Sequence, residues 1–395
     1  MRRSAVARLV ALALLGAVLS AVTSKATERG ATAPRALDRD EDATTFPRAW
    51  GSHPGAALEW WYVTAILRDE SGRTHGIQWT LFRVGLDATG GAGGSSGAGA
   101  SAWRARDLYF AHVARGDSAK SAFTVTERIG RSSPALAGAD TADLHVWIGD
   151  WFLRREADGR FRLRGGGDGA AVELLLEPSR SRPVAWGPAY RSSKSPDSRF
   201  YSRYQSDPAM KAAGTLVKAG EPTRKLRGTA WFDHEWSDGA YDSAVVGWDW
   251  LGARLGDGRA VMLYRLRDSR GMSRHFFGGI VDRDGRLVVL GPDQARLSPL
   301  RFWTSPRSGA RYPVAWRILL EPEGAPPVTL DFEAAFDAQE LVTERSTRVT
   351  YWEGMVGGTA EQGGARTPLE GYLELTGYAG GGVPGRISSG ARTGR

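Results

Sequence analysis

The residues best suited to chemistry lie in one short stretch, residues 228–236 (GTAWFDHEW). Side chains alternate along a strand, so His234 and Trp236 would share one face, pointing into a barrel, and Asp233 and Glu235 would share the other. An imidazole beside an aromatic wall can donate or accept a proton. A lone histidine more often hydrogen-bonds a buried backbone group, and both interpretations stay open. For Asp233 and Glu235 we favour a salt-bridged seam between domains over a catalytic carboxylate pair.

Two aromatic stretches form a second group of candidates. The first is Trp60-Trp61-Tyr62, and in the second Trp248 and Trp250 would face the same way along a strand. Aromatic rings offer a broad apolar area and a negative π face, which suits a long apolar or polyene ligand. Core packing explains any one tryptophan at least as well, but the chain has 15 of them. We therefore predict that Trp60, Trp61, Tyr62, Trp248 and Trp250 line a ligand-binding pocket.

Other familiar catalytic patterns are absent from the sequence. It has no HExxH zinc motif, no GxSxG nucleophile elbow, no GxGxxG dinucleotide fingerprint and no P-loop. It also has no cysteine, which excludes disulfides, zinc–thiolate sites and cysteine nucleophiles. His53 precedes a proline in a loop, and His75 lies at a hairpin turn. The strand histidines His112, His145 and His275 have no acidic or histidine partner at metal-ligand spacing. We therefore expect neither a metal nor a cofactor.

Two predicted hairpins position these residues. Residues 59–67 and 76–84 flank turn residues 69–73, and residues 247–255 and 260–266 repeat the design. Both hairpins open on paired tryptophans, turn at Gly-Arg and close on an aromatic-Arg pair. We interpret this likeness as an internal duplication. Chance similarity between two hairpins is the alternative.

The rest of the chain indicates an all-β protein. Short apolar or aromatic runs, one of them at 143–153, are separated by turn residues about every ten residues, a pattern typical of sandwiches and barrels. No later segment has the roughly 18 unbroken apolar residues that a membrane helix needs. Residues 88–102 are predicted to be a flexible insertion in a loop, and residues 381–395 a flexible tail.

The N-terminal residues have the pattern of an export signal. Three arginines precede the apolar run 9–22, and small residues at Ser24 and Ala26 suit signal peptidase. Residues 1–26 are therefore predicted to be a signal peptide, with an uncleaved anchor as the alternative. Cleavage removes four basic residues, so the formal net charge falls from +8 to +4. This mild, dispersed charge argues against nucleic-acid binding. We predict an exported protein of the periplasm or cell envelope.

Several segments taken together resemble one known family. In chain order they are HPGAALEWWYVTAIL (53–67), GIQWTLFR (76–83), FYSRYQ (200–205), GTAWFDHEW (228–236), GWDWLGARLGDG (247–258), MLYRLRD (262–268), YWEG (351–354) and GYLELTGY (371–378). The chain resembles, over residues 50–380, the AttH/CrtC lipocalin-like family, which includes AttH-like exported proteins and carotenoid 1,2-hydratases. The resemblance implies two consecutive lipocalin-like β-barrel domains, at 45–238 and 239–380.

The resemblance also implies functions and site residues. AttH-like members resemble exported companions of an ABC transporter system. Hydratase members add water to the terminal double bond of an acyclic carotenoid, and related proteins catalyse cyclisations. The hydratases use a His-x-Trp pair and a later Tyr-x-Asp pair. His234, Trp236 and Tyr264 match three of these positions as catalytic residues, but Leu266 stands where the aspartate would be.

That departure matters because hydration of an alkene begins with protonation, and leucine has no proton to give. Asp268 shares the strand face but falls at the strand end, so Tyr264 or Glu235 would have to replace the acid. Our leading prediction is an exported protein that binds an apolar or amphipathic small molecule and serves an ABC-transporter-linked envelope system. The alternative is a carotenoid 1,2-hydratase-like or isomerase/cyclase-like enzyme that acts on an isoprenoid or polyketide.

Overall fold

A computed structural model describes most of the chain beyond its N-terminal segment. The described ranges are residues 43–86, 105–167, 169–239 and 242–380. The predicted signal peptide, insertion and tail, at 1–26, 88–102 and 381–395, lie outside these ranges. No helix in the described part of the chain has the length and apolar character that a membrane span requires.

The first sheet has 13 antiparallel strands within the described residues. They are β1 Leu58–Asp69, β2 Thr74–Gly85, β3 Asp107–Asp117, β4 Ala122–Arg131, β5 Ala137–Ala139, β6 His145–Ile148, β7 Trp151–Arg155, β8 Phe161–Gly167, β9 Ala170–Glu177, β10 Val184–Ala185, β11 Arg191–Ser193, β12 Tyr201–Lys218 and β13 Arg224–Ser237. Their order is β4-β3-β2-β1-β13-β12-β9-β8-β7-β6-β5, with β10 and β11 paired to β12.

The second sheet has ten strands in the same described ranges. They are β14 Gly247–Leu255, β15 Ala260–Arg267, β16 Ser273–Val281, β17 Leu287–Leu290, β18 Ala295–Thr304, β19 Arg311–Leu320, β20 Val328–Ala334, β21 Glu340–Val342, β22 Thr350–Gln362 and β23 Ala365–Leu375. Their order is β17-β16-β15-β14-β23-β22-β20-β19-β18, with β21 paired to β22. Short 3-10 turns lie at Arg48–Trp50, Pro188–Tyr190 and Pro292–Gln294.

The two sheets share one topology. In each, the first hairpin extends into two further strands on one side and pairs with the last strand of the sheet on the other. Glu59 lies opposite Arg83 in the first hairpin and pairs with it at 2.9 Å. Asp249 lies opposite Arg265 in the second hairpin, 2.5 Å away. The common strand order and the repeated acid–arginine pair support the predicted internal duplication.

The first sheet curls into a nearly closed barrel. At the seam, Arg128 of β4 donates to the Ile148 carbonyl of β6 at 3.0 Å. Large buried side chains fill the interior, among them Trp79, Trp151 and Phe161. The second sheet encloses a separate apolar core of its own. The predicted all-β fold of two consecutive lipocalin-like β-barrel domains is confirmed.

The outer faces of the two hairpins meet in a third cluster that both sheets contribute to. Tyr62 and Trp231 come from the first sheet, and Trp250 comes from the second. Gly76 lies at the closest approach, because a Cβ atom there would collide with the Tyr372 hydroxyl. Any larger residue at position 76 would therefore require the side chains of Tyr372 and Met355 to shift.

Most of the long strands follow the sequence, but β4 and β18, of ten residues each, were not predicted, and two further differences stand out. Both hairpins are present, and three of their four strands extend slightly beyond the predicted ends. The single strand predicted at 143–153 is wrong, because the chain turns at Gly149 between β6 and β7. Gly149 has φ of 61°, a conformation that glycine adopts without steric cost. The sequence pattern also gave no indication of β12, which has 18 residues.

Candidate functional site

β13 presents side chains to two different sites, one on each face of the first sheet. His234 stacks on Trp61 inside the barrel, with ring centroids 4.8 Å apart. Asp233, the preceding residue, accepts a hydrogen bond from Tyr204 in the cluster between the sheets. The alternation expected for residues 228–236 is therefore present, and it separates the histidine from the acids.

Inside the barrel, Glu59 is a fully buried carboxylate held by donors on both oxygens. One oxygen accepts from His53 Nδ1 at 2.8 Å and from His234 Nε2 at 3.0 Å. The other accepts from Ser52 Oγ and Arg83 Nε, each at 2.9 Å. Burial alone would raise the pKa of Glu59, but Arg83 and the two histidine hydrogen bonds hold it well below its ordinary value. Glu59 is therefore ionised and balanced by Arg83.

The amide of Gln205 fixes the tautomer of His234. The amide nitrogen donates to the Ala49 carbonyl at 2.7 Å and lies 3.0 Å from His234 Nδ1. Because this nitrogen is a donor, Nδ1 accepts, and the imidazole proton lies on Nε2 facing Glu59. Burial lowers the pKa of His234 to about 4, so the ring is neutral near pH 7. Both ring nitrogens are thus engaged within the protein.

Trp236 belongs to the same buried stack. Its ring lies parallel to that of His53, with centroids 3.8 Å apart and an interplanar angle of 4°. Trp61, on the other side of His234, donates its indole hydrogen to the Trp50 carbonyl at 3.1 Å. The stack of imidazole and indole rings packs the barrel interior around the Glu59 carboxylate.

His53, Glu59 and His234 also form the one group in the described residues whose ligand atoms could hold a metal, within 4.8 Å of one another. Two histidines and a glutamate are a known zinc ligand set. Two features oppose a cation here. Arg83 already neutralises the carboxylate. Gln205 donates to the free nitrogen of His234, whereas a metal-bound histidine needs an acceptor there. The donor set fits a hydrogen-bonded network better than a metal centre.

The second site lies between the two sheets, on the other face of β13. In the strand register Glu235 is flanked by Trp60 of β1 and Tyr204 of β12, and Asp233 lies opposite Tyr62. Directly opposite residues of antiparallel strands project to the same face. The first sheet therefore contributes two acids set among aromatic rings.

The second sheet contributes a matching row of side chains. Tyr264, Trp250, Glu374 and Glu353 lie side by side on four neighbouring strands. Hydrogen bonds join this row to the first sheet, since Trp250 Nε1 donates to the Tyr204 hydroxyl at 3.0 Å and Tyr62 donates to Glu353 at 2.5 Å. The two rows therefore form one aromatic and acidic site.

Asp233 is one of the two acids that the first sheet contributes to this site. It accepts hydrogen bonds from Trp231 Nε1 at 2.6 Å, from the Tyr204 hydroxyl at 2.9 Å and from the Ser206 hydroxyl. Burial raises the pKa of Asp233 to about 7, and nearby Glu235 adds to the rise against these hydrogen bonds. A large fraction of Asp233 therefore keeps its proton near neutral pH.

Glu353 and Glu374 lie directly opposite each other on β22 and β23. Burial raises the pKa of Glu374 to about 7, and Asp233 and Glu235 add to the rise. Burial and the charge of Glu374 raise the pKa of Glu353 well above its ordinary value. No basic side chain contributes to either shift. Within the part of the chain that the structure describes, these two carboxyl groups therefore have no basic side chain paired with them.

Lys194 lies at the other end of the site. Its Nζ atom pairs with Glu235 at 2.8 Å and lies over the rings of Tyr264 and Tyr204, 4.1 and 5.3 Å from their centroids. Glu235 is therefore salt-bridged, but its partner Lys194 belongs to the same predicted domain, so the ion pair does not join the two domains as expected. Asp233 differs, because its hydrogen-bond donors are neutral groups.

Among the described residues, two buried neutral side chains on this face each have an oxygen with no hydrogen-bond partner. They belong to Gln78 and Ser202, which are 1% and 0% exposed. Gln78 lies two residues after Gly76, on the face that meets the second sheet. Ser202 lies opposite Ser192, whose hydroxyl is 3.1 Å from that of Tyr264. Such atoms mark places for water or for a polar group of a ligand.

The predicted site residues are thus divided between two places. His234, Trp236 and Trp61 lie inside the barrel, and Trp60, Tyr62, Trp248, Trp250 and Tyr264 lie between the sheets. The positions that match the His-x-Trp and Tyr-x-Asp pairs therefore do not share one site. Leu266 faces the site between the sheets, opposite Trp248.

The acids of this site are the main residues that sequence reasoning missed. Asp233 was assigned to a structural seam, and Glu353 and Glu374 were not singled out within YWEG and GYLELTGY. Strand alternation in the latter segment, which puts Glu374 on the face of Tyr372, was the available signal. Asp268 is not an alternative acid, because it lies beyond β15 and accepts from two backbone amides of its own turn at 2.9 Å.

Comparisons of the sequence and of the structure with known proteins agree on one family. A family model described as AttH-like matches residues 38–378. This chain belongs to the AttH-like family. The crystal structure of an AttH protein from Nitrosomonas europaea is similar, with a TM-score of 0.75 and 33% sequence identity over 88% of this chain and 99% of that chain. The family recognised in the sequence is therefore confirmed. No curated protein sequence gives a significant match.

Two other solved structures share the fold at lower identity. Kievitone hydratase from Nectria haematococca has a TM-score of 0.59 and 15% identity, over 88% of this chain and 95% of that chain. CghA, solved with Sch210972, has a TM-score of 0.54 and 13% identity, over 82% of this chain and 89% of that chain. At these identities the likeness establishes the fold.

Proposed function

We propose that this AttH-like protein binds an apolar or amphipathic unsaturated ligand between its two sheets and acts on it by acid catalysis, as a hydratase-like or isomerase/cyclase-like enzyme. The observation behind the proposal is Asp233, a buried carboxyl whose pKa is raised to about 7 among aromatic rings from both sheets. Leu266 stands where the family resemblance places the aspartate of the Tyr-x-Asp pair. In the proposal Asp233 is the acid instead. The proposal places the enzyme ahead of the binding protein that the sequence favoured.

The chemistry follows from a neutral acid beside a double bond. Asp233 transfers its proton to one alkene carbon, which forms a C–H bond and leaves a tertiary carbocation and the Asp233 carboxylate. In hydration, a water oxygen bonds to the cation and its proton returns to the carboxylate. In isomerisation, the cation loses a different proton to the same carboxylate. In cyclisation, a second double bond attacks the cation before that loss.

The role of the aromatic rings in this mechanism is to stabilise the carbocation. A raised pKa keeps the proton on Asp233 near pH 7 but makes it a weaker acid, so the cation itself must be stabilised. Trp231 and Trp250 meet edge to face with centroids 5.8 Å apart, and Tyr62 lies 5.5 Å from Trp250. Their π faces can stabilise a cation held between the sheets. The same fold occurs in a protein named a hydratase, which supports this use of it.

A direct screen tests this proposal. The mature protein is incubated in D₂O with acyclic isoprenoids that have a terminal trisubstituted double bond, and the extract is analysed by mass spectrometry. Acid catalysis places deuterium on carbon in a hydrated, isomerised or cyclised product, whereas boiled protein gives none. Recovery of an unchanged, undeuterated isoprenoid bound to the protein would instead support the binding function without catalysis.

We also propose that the protein is exported to the periplasm or cell envelope and serves an ABC-transporter-linked system. The signal pattern in residues 1–26 supports export. We expect the mature chain to begin at Thr27 and to fractionate with the periplasm, and mass spectrometry of the N-terminal peptide measures both. Ala26→Arg, which removes the small residue before the cleavage site, should remain uncleaved. An intact Met1 on wild-type protein in the cytosolic fraction would contradict export.

A further inference from the structure

The two ends of the site between the sheets differ in charge. At the end that we call the lysine end, Lys194 lies 2.8 Å from Glu235 and over the ring of Tyr264. At the end that we call the diacid end, Glu353 and Glu374 lie opposite each other on neighbouring strands. The lysine end thus has one carboxylate paired with a cation, whereas the diacid end has two carboxyl groups that no described basic side chain pairs with.

Aromatic groups line the diacid end just as they line the lysine end. Tyr62 donates its hydroxyl to Glu353, and Trp250 lies opposite Glu374 on β14. Tyr372 lies two residues before Glu374 and therefore on the same face of β23. Carboxylates and aromatic faces together are the groups that hold an ammonium ion in proteins. The lysine end shows the same combination occupied by the protein's own ammonium group.

The buried carboxyl group of Glu353 directly beside the half-buried one of Glu374 is costly without a cation. Each must keep its proton or repel the other, since burial removes the solvent that would screen them. An ammonium group placed beside Glu353 and Glu374 would turn that repulsion into two attractions. Gln78 lies between Gly76, which meets Tyr372, and Thr80, which is opposite Tyr62, so its unpartnered buried oxygen gives the diacid end a further polar group that the protein itself does not use.

We infer that the ligand of this protein carries a positively charged ammonium group, which the diacid end binds as the lysine end binds Lys194. The chemical class is an amphipathic amine or quaternary ammonium compound. Its unsaturated, apolar body would lie beside Asp233 and the tryptophans, and its head group beside Glu353 and Glu374. This inference rests on the proposed ligand site but not on the proposed catalysis.

Choline and 3,3-dimethylbutan-1-ol provide the test, because they have the same shape and differ in charge. Binding of each to the mature protein is measured by tryptophan fluorescence and calorimetry. We expect choline to bind at least about tenfold more tightly than the neutral alcohol. The double variant Glu353→Gln with Glu374→Gln should lose this preference. Glu344→Gln, which alters an exposed carboxylate of the same domain, should keep it.

Geraniol, an uncharged unsaturated alcohol, separates this inference from the proposed site. Geraniol binding without any preference for choline over its isostere overturns the inference and leaves the ligand site standing. A choline preference that survives in the double variant also overturns it. Failure of all three probes overturns both. Circular dichroism checks the fold of the double variant, and Glu374→Gln alone replaces it if it does not fold, with a loss of the preference again expected.

Discussion

Asp233→Asn should reduce turnover by about 10²–10⁴-fold, the usual contribution of a positioned general acid. Asparagine has nearly the same shape and still accepts from Trp231 Nε1, but it has no proton to transfer. The ligand contacts the same rings in the variant, so KM should change little while kcat falls. Steady-state kinetics with the substrate found in the deuterium screen measures both quantities.

The matched control is Asp268→Asn, the same change at a carboxylate that accepts from backbone amides of its own turn. It should leave kcat unchanged. Loss of turnover in Asp268→Asn together with full activity in Asp233→Asn would show that the acid has been assigned to the wrong residue. The control is informative because Asp268 shares the chain segment of Tyr264 and Leu266.

The pH dependence of kcat for the wild-type enzyme provides a third test of Asp233 as the general acid. The acid must be protonated, so kcat should be constant below about pH 7 and fall roughly tenfold per pH unit above it.

The contribution of Asp233 to the stability of the fold also decreases as the pH rises. Folding raises the pKa of Asp233 from 3.8 to about 7, so its contribution to stability is full below pH 3.8 and is lost as the pH rises through about 7. Asp233→Asn should therefore be no less stable than wild type at pH 8.

The sequence predicted the structural features that depend on residues close together along the chain. Hairpins at 59–84 and 247–266 follow from apolar runs around turn residues, and both were found. The two faces of β13 follow from alternation alone. The alternation of side chains along β13 also predicts that His234 cannot lie in the same site as Asp233 and Glu235. The family resemblance obscured this, because matching motifs assign roles to residues without placing them on a face.

Pairings between distant strands could not be predicted in this way. Nothing near Glu353 in the sequence marks it as the partner of Tyr62, whose hydroxyl it accepts. That contact depends on how closely the two sheets approach, which Gly76 permits by having no side chain. The raised pKa of Glu353 likewise comes from burial and from Glu374 on the neighbouring strand. Both causes exist only in the folded protein.

The second large effect is expected inside the barrel, where Glu59→Gln should lower the free energy of unfolding by about 3 kcal/mol, at the low end of the range for breaking a buried ion pair. Arg83 is 1% exposed and would lose its fully buried anionic partner. Asp107 still pairs with Arg83 at 2.7 Å, which keeps the loss at the low end. Urea denaturation at pH 7 measures the change.

The control for this prediction is Glu361→Gln, which breaks a glutamate–arginine pair of similar length, 2.8 Å, on the surface. It should cost less than about 1 kcal/mol, because solvent screens both charges. Folding lowers the pKa of Glu59 from its ordinary 4.5, so its stabilisation is present above pH 4.5 and is lost as the pH falls further. The gap between wild type and Glu59→Gln should therefore narrow on acidification. Equal costs for the two variants at pH 7, or a gap that does not narrow, would mean that an ionised Glu59 does not hold the barrel network together.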